Sequence, residues 1–295
     1  MKLLVSGANG FLGHYLCELL LQKGHQVLAT GRGPCRLPFL LHDNFSYSPM
    51  ELTDVEQIRT VVSTYAPHHL IHAAAIGKPD ECELNQPLAT AINTLGTSYI
   101  LAAANQIGAG ICYVSTDFVF DGLEGNYLEN STRKPVNHYG QTKFEAELLV
   151  EQFPGKWSIV RTVLVYGRPM TGRDNLLTIV RDKLLKGERY QVVNDQVRTP
   201  TYVGDLAEGI CKIIEQDQQG IFHLSGEEIL TPYEMATQAA RYLELDGSLL
   251  IKTNSSQFVQ PAKRPLVTGL NITKAKQVLG FNPINFETGL KKTFG

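Results

Sequence analysis

Residues 2–6 (KLLVS) form a short apolar run that stops at Gly7, and beyond it Phe11, Leu12, Leu16, Leu19 and Leu20 recur at helical spacing until Gly24. A second run at 25–30 (HQVLAT) follows, so the opening of the chain predicts strand, glycine turn, helix and a second, parallel strand. The alternation continues with strands near 44–47, 69–73, 110–115 and 157–160 and helices over 54–65, 89–105 and 141–152. Such alternation predicts an α/β fold, a doubly wound parallel sheet with helices on both faces and its chemistry at the carboxyl ends of the strands. Beyond Thr162 the pattern loosens: a loop over 168–174, a helix over 176–186, a strand over 190–193, a helix over 205–215 and a strand over 220–224, then a stretch carrying Pro261, Pro265 and Pro283. The pattern divides the chain into a principal domain over 1–165, with later returns near 190–205 and 220–225, and a smaller C-terminal lobe built mainly from 166–295.

Composition narrows the classes. A chain of 295 residues, 43% hydrophobic and 19% charged, can bury a sizeable core, and 27 Lys plus Arg against 29 Asp plus Glu leave no basic footprint for nucleic acid or an anionic membrane. No apolar run reaches the roughly 18–20 residues that span a bilayer, and MKLLVSGANG lacks a basic start and a cleavage pattern, so a cytoplasmic protein is expected. The five cysteines (17, 35, 82, 112, 211) are scattered without a CxxC, and His68–His69 has no accompanying metal spacing; reduced thiols and no metal site are expected.

The turn after the first predicted strand reads GANGFLG, with glycines at 7, 10 and 13. Glycine there lets the backbone approach a pyrophosphate while the amides opening the next helix point at its charge. Gly7, Asn9, Gly10, Phe11, Leu12 and Gly13 are therefore the candidate dinucleotide turn of a Rossmann-type NAD(P)-binding domain. A Tyr-x-x-x-Lys pair, Tyr139 and Lys143 in YGQTK, gains meaning from its position. On a helix the two share a face, so the ammonium favours the phenolate and brings a tyrosine, ordinarily near pKa ~10, toward the operating pH of a general acid. Ser115 and Thr116, just after a central strand, offer hydroxyls to the same substrate oxygen.

In order and spacing, GxxGxxG, HAAA at 72–75, Asn93 in NTLGT, the Ser115–Thr116 pair and YxxxK resemble the extended short-chain dehydrogenase/reductase family over nearly the whole chain. Within it, STDFVFDG, PVNHYGQTKFEAE, the RT and VYG elements of 161–167 and VVNDQ at 192–196 are most similar to dTDP-4-dehydrorhamnose reductases. The resemblance implies a catalytic set of Thr116, Tyr139 and Lys143, cofactor contacts extending to Ala73, Ala74, Ala75 and Asn93, and substrate contacts from Ser115, Thr116, Asp117 and Phe118. It further implies a nucleotide-sugar substrate and is compatible with a homodimer. Dehydratases of the family place an Asp-Glu pair after the threonine; here Asp117 is followed by Phe118, whose ring cannot abstract a proton, which favours simple hydride transfer to a keto group.

Some positions depart from the pattern. Leu164 replaces a common Trp, and Arg198 stands where a glycine is expected. Arg198 lies seven residues before Asp205, as does the diphosphate arginine of nucleotide-sugar epimerases, and Arg264 in KRP resembles a second phosphate contact; both also read as solvated surface charges. The family also includes the regulatory subunit of methionine adenosyltransferase, a binding protein with the same fold, similar here in RxPT and in the PD of the 77–83 loop. At the end of the second strand no acid lies between Val27 and Arg36, and Gly31 is followed by Arg32, which suits a 2′-phosphate; NADP(H) is the expected cofactor and NAD(H) the second choice.

Overall fold

The computed structural model describes residues 1–171, 174–257 and 260–295; positions 172 and 173 of the expected 168–174 loop lie outside the described residues. The first half runs β1 (Lys2–Ser6), α1 (Phe11–Gln22), β2 (Gln26–Gly31), β3 (Phe45–Pro49), α2 (Val55–Tyr65), β4 (His69–His72), α3 (Pro79–Leu84), α4 (Gln86–Thr90), a π turn (Ala91–Leu95), α5 (Gly96–Ile107), β5 (Gly110–Thr116), α6 (His138–Glu151) and β6 (Trp157–Thr162). The second half runs β7 (Val165–Tyr166), α7 (Leu176–Leu185), β8 (Tyr190–Val193), β9 (Thr201–Tyr202), α8 (Val203–Glu215), β10 (Gly220–His223), α9 (Pro232–Tyr242), β11 (Leu250–Thr253), α10 (Thr273–Leu279) and α11 (Phe286–Phe294).

The central sheet has seven strands in the order β10-β6-β5-β4-β1-β2-β3, all parallel. Its inner strands β1, β5 and β6 are buried on both faces and read as near-continuous apolar runs, as a parallel sheet requires, whereas the edge strand β3 (FSYSP) is largely half-buried or exposed. One face packs Leu3, Val5, Val27 and Val160 against Leu16 and Leu20 of α1 and Leu206 and Ile210 of α8; the other packs Leu4, Leu70 and Ile111 against Ile58 of α2, Ile100 of α5 and Ala146 of α6. The strand order reverses between β1 and β4, and ligands of such sheets bind in the crevice at that point.

Three expectations need correction. The helix expected over 89–105 is interrupted by the π turn, where the Asn93 side chain is drawn toward the loop after β4. The helix expected from 141 starts at His138, because Asn137 caps it by accepting from the Gly140 amide at 2.8 Å. The strand at 190–193 does not return to the central sheet: β8 pairs with β11 in a separate two-stranded sheet, roofed by Ala236 and Ala240 of α9. β10, in contrast, lies beside β6 at the edge of the central sheet.

Candidate active site

At the β1–α1 turn Gly7 adopts φ +75°, and a Cβ there would lie 2.8 Å from the Ala74 backbone; a Cβ at Gly13 would lie 2.5 Å from Gly7 O. The chain closes on itself so tightly that no side chain fits between the turn and the loop after β4. Gly10, the N-cap of α1, offers no side chain to the first helical amides. This bare backbone cradle fits a dinucleotide pyrophosphate. Phe11 and Leu12 are partly buried at the helix start, Phe11 edge-on to Tyr15.

Asn93 and Asn9, also expected at the cofactor, hold the loops on either side of this turn. Asn93 accepts from the Ile76 amide at 2.8 Å and donates to Ile76 O and to Thr142 of α6, which fixes the loop holding Ala73, Ala74 and Ala75. Ser6 Oγ reaches the Ala74 amide at 3.4 Å and His72 Nδ1 at 2.7 Å; burial pushes the His72 imidazole down to about 3, so it is a neutral spacer. Asn9 faces residues 31–36 rather than the crevice: Nδ2 donates to Arg32 O and Pro34 O, and Oδ1 accepts from the Arg36 amide. The Arg32 residue is exposed on that loop.

The chemistry gathers at the carboxyl end of β5. Lys143 is 3% exposed, its Nζ 2.8 Å from Val114 O and 4.0 Å from the centre of the Tyr113 ring. Burial lowers its pKa to about 7, while the Glu147 carboxylate pulls it back up. Tyr139, one turn before Lys143, is partly buried, its ring edge-on to Phe118 at 5.7 Å. Gly140 makes that contact feasible: a Cβ there would lie 2.2 Å from Phe118 O. Thr116 Oγ1 donates to Asp117 at 3.0 Å and accepts from the Phe118 amide at 3.2 Å. Ser115 is buried beside it at 4% exposure.

Beneath this set lies an ion network that the sequence reading missed. Glu147 and Arg161, both fully buried, form a bidentate pair at 2.8 and 2.9 Å, and Arg133 adds a third contact to Glu147 and two to Glu151. Tyr139, Lys143 and Glu147 stand at successive four-residue steps on α6, a spacing that could have drawn notice to Glu147.

Arg198 departs from its expected role. It is 3% exposed and donates to the carbonyls of Val197, Pro265 and Leu266 and to Gln196 Oε1, with Nε 3.9 Å from Asp117. With its donors so engaged, the guanidinium serves as a structural clamp between β5 and the 265–266 segment, not as a free phosphate contact. Asp117, raised by burial and lowered by Arg198, also accepts from Thr268. Arg264 is bound to both oxygens of Asp80 after β4. Leu164, at φ +36°, turns the chain out of β6 toward β7.

A parallel sheet with a bare glycine turn at its crossover and a tyrosine–lysine helix against its fifth strand is the architecture of an extended short-chain dehydrogenase/reductase. The dTDP-4-dehydrorhamnose reductase of Aggregatibacter actinomycetemcomitans is 31% identical, with 98% of this chain and 97% of that protein covered. The methionine adenosyltransferase 2 subunit beta of Xenopus tropicalis is 29% identical, with 99% of this chain and 86% of that protein covered. Among solved structures, a dTDP-4-dehydrorhamnose reductase from Clostridium acetobutylicum superposes with a TM-score of 0.87 at 30% identity over 99% of this chain and 98% of that one. One from Bacillus anthracis in complex with NADP superposes at 0.86 and 28% identity over 99% and 98%. The whole chain, residues 1–295, matches the RmlD substrate binding domain family and belongs to it.

Proposed function

We propose that this protein is an NADPH-dependent reductase of a nucleotide-linked 4-keto-sugar, of the dTDP-4-dehydrorhamnose type. The observation that carries the reading is the set Thr116, Tyr139 and Lys143 gathered at the end of β5, with Phe118 where a dehydratase of this family would hold an acid. The reductase relatives, one of them solved with NADP, support it.

When bound over the glycine turn, the dinucleotide supplies the hydride. Tyr139 donates its phenolic proton to the oxygen that gains charge as the keto carbon is reduced. Lys143, a turn along the same helix, is the ammonium that stabilises the phenolate left behind, and its burial shields that charge pair from water. Thr116, held between Asp117 and the Phe118 amide, keeps a lone pair for the hydroxyl that the reduction creates. The five free cysteines, four of them buried, suit a reducing compartment, and we place the protein in the cytoplasm.

The test is NADPH consumption across dTDP-, UDP- and GDP-linked 4-keto-sugars. Turnover with a dTDP-linked substrate is the expected result. Tight NADPH binding with no consumption on any of them would instead favour the binding-protein role that the name of the adenosyltransferase relatives denotes.

A further inference from the structure

The loop after β2 is held from below by two side chains outside the reacting centre. Tyr47, on β3, accepts from Asn9 Nδ2 at 2.9 Å, and its hydroxyl lies 3.0 Å from Gly31 O and 2.8 Å from Gly33 O, each an acceptor for its single proton. Asn9, 7% exposed at the glycine turn, reaches Arg32 O, Pro34 O and the Arg36 amide. Five of the six residues 31–36, all but Cys35, are thus tied by their backbone to one or the other of these two side chains. The fixed backbone leaves Arg32 and Arg36 exposed, and neither guanidinium has a hydrogen-bond or ion-pair partner among the described residues. The first acid after β2 is Asp43, beyond the loop.

A loop this open, with Gly33 at φ +67° and Pro34 beside it, has no apolar anchor over 31–34, so its shape depends on those polar ties. We propose that Tyr47 is a positioning residue for cofactor choice: with Asn9 it holds residues 31–36 so that Arg32 and Arg36 face the adenosine 2′-phosphate of NADPH. The chemistry fits, because two unpaired guanidiniums on a pre-formed loop gain charge-assisted contacts to a phosphate without first ordering the chain. NADH, which lacks that phosphate, gains nothing from the arrangement. The inference rests on the reading of Arg32 as the 2′-phosphate contact and extends it to Arg36 and to the tie beneath both.

The experiment measures dissociation constants of NADPH and NADH for wild type, Tyr47→Phe, Asn9→Ala, Arg32→Ala and Arg36→Ala, alongside thermal unfolding. Tyr47→Phe keeps the ring and removes only the hydroxyl. It should weaken NADPH binding by about three- to tenfold, the usual weight of a lost hydrogen bond, and leave NADH within about twofold. Asn9→Ala should move the preference in the same direction, and Arg36→Ala should lower it at unchanged melting temperature. Equal loss of both cofactors in Tyr47→Phe, or loss of neither, would overturn the positioning role. An unchanged preference in Arg32→Ala would overturn the underlying reading instead, so the two failures are told apart.

Discussion

Gly140→Ala tests whether the start of α6 sets the position of the general acid. The added methyl would sit 2.2 Å from Phe118 O, 3.1 Å from its carbonyl carbon and 3.0 Å from Pro135 Cβ. Ordinary contact begins near 3.4 Å, so the helix start must retreat from the turn after β5 by roughly 1 Å. The obstacle is backbone and a proline ring, neither of which can swing aside as a flexible side chain would. Overpacking of this kind costs about 1–3 kcal/mol of stability, and a displacement of about 1 Å at a reacting group costs on the order of a hundredfold in rate. The cap from Asn137 to the residue-140 amide survives the change, and the glycine turn lies on another element. Steady-state kinetics with NADPH and a 4-keto-sugar should therefore give kcat down on the order of a hundredfold, NADPH affinity within a few-fold of wild type and a modestly lower melting temperature. Gly140→Ser should be at least as impaired. A folded Gly140→Ala protein with near-normal kcat would refute the reasoning.

Tyr139→Phe should keep fold and cofactor affinity but lose about 10²- to 10⁴-fold in kcat, checked by single-turnover kinetics; near-normal turnover would dismiss Tyr139 as the acid. Because the Lys143 pKa lies at about 7, below the ordinary lysine value, its ammonium is present at lower pH and lost as pH rises, so kcat/KM should fall through that region. Glu147→Gln removes the carboxylate that raises this pKa and should move the fall to lower pH; an unmoved profile would uncouple the two residues. Arg198→Ala strips a buried partner from Asp117 and leaves the Pro265 carbonyl without its donor, while Leu266 O keeps only the Val197 amide, so denaturant unfolding should lose about 3–5 kcal/mol. A variant of normal stability with only a raised KM would return Arg198 to the substrate cleft.

The N-terminal half was legible because its signals are local. The glycines at 7, 10 and 13 follow an apolar run and open a periodic helix, and the strands buried on both faces announce themselves as short apolar stretches. The burial of Arg198 is not legible locally, because it depends on partners far along the chain: Asp117 on one side and a carbonyl sixty-eight residues on at Leu266. β8 was misassigned for the same reason, since its partner β11 lies beyond α9 and no local pattern names it. Two local signals went unread. Asn137 before HYGQ marks the true start of α6, and Thr231 with Glu234 forms a capping box that opens α9.

The most direct test of the account follows the hydrogen itself. NADPH carrying deuterium at the transferable position of the nicotinamide is incubated with the protein and dTDP-4-dehydrorhamnose, and the product is read by NMR. Deuterium is expected at carbon 4 of the sugar, with the transfer suppressed in Tyr139→Phe. Unconsumed NADPH, or a product carrying no deuterium at that carbon, would contradict it.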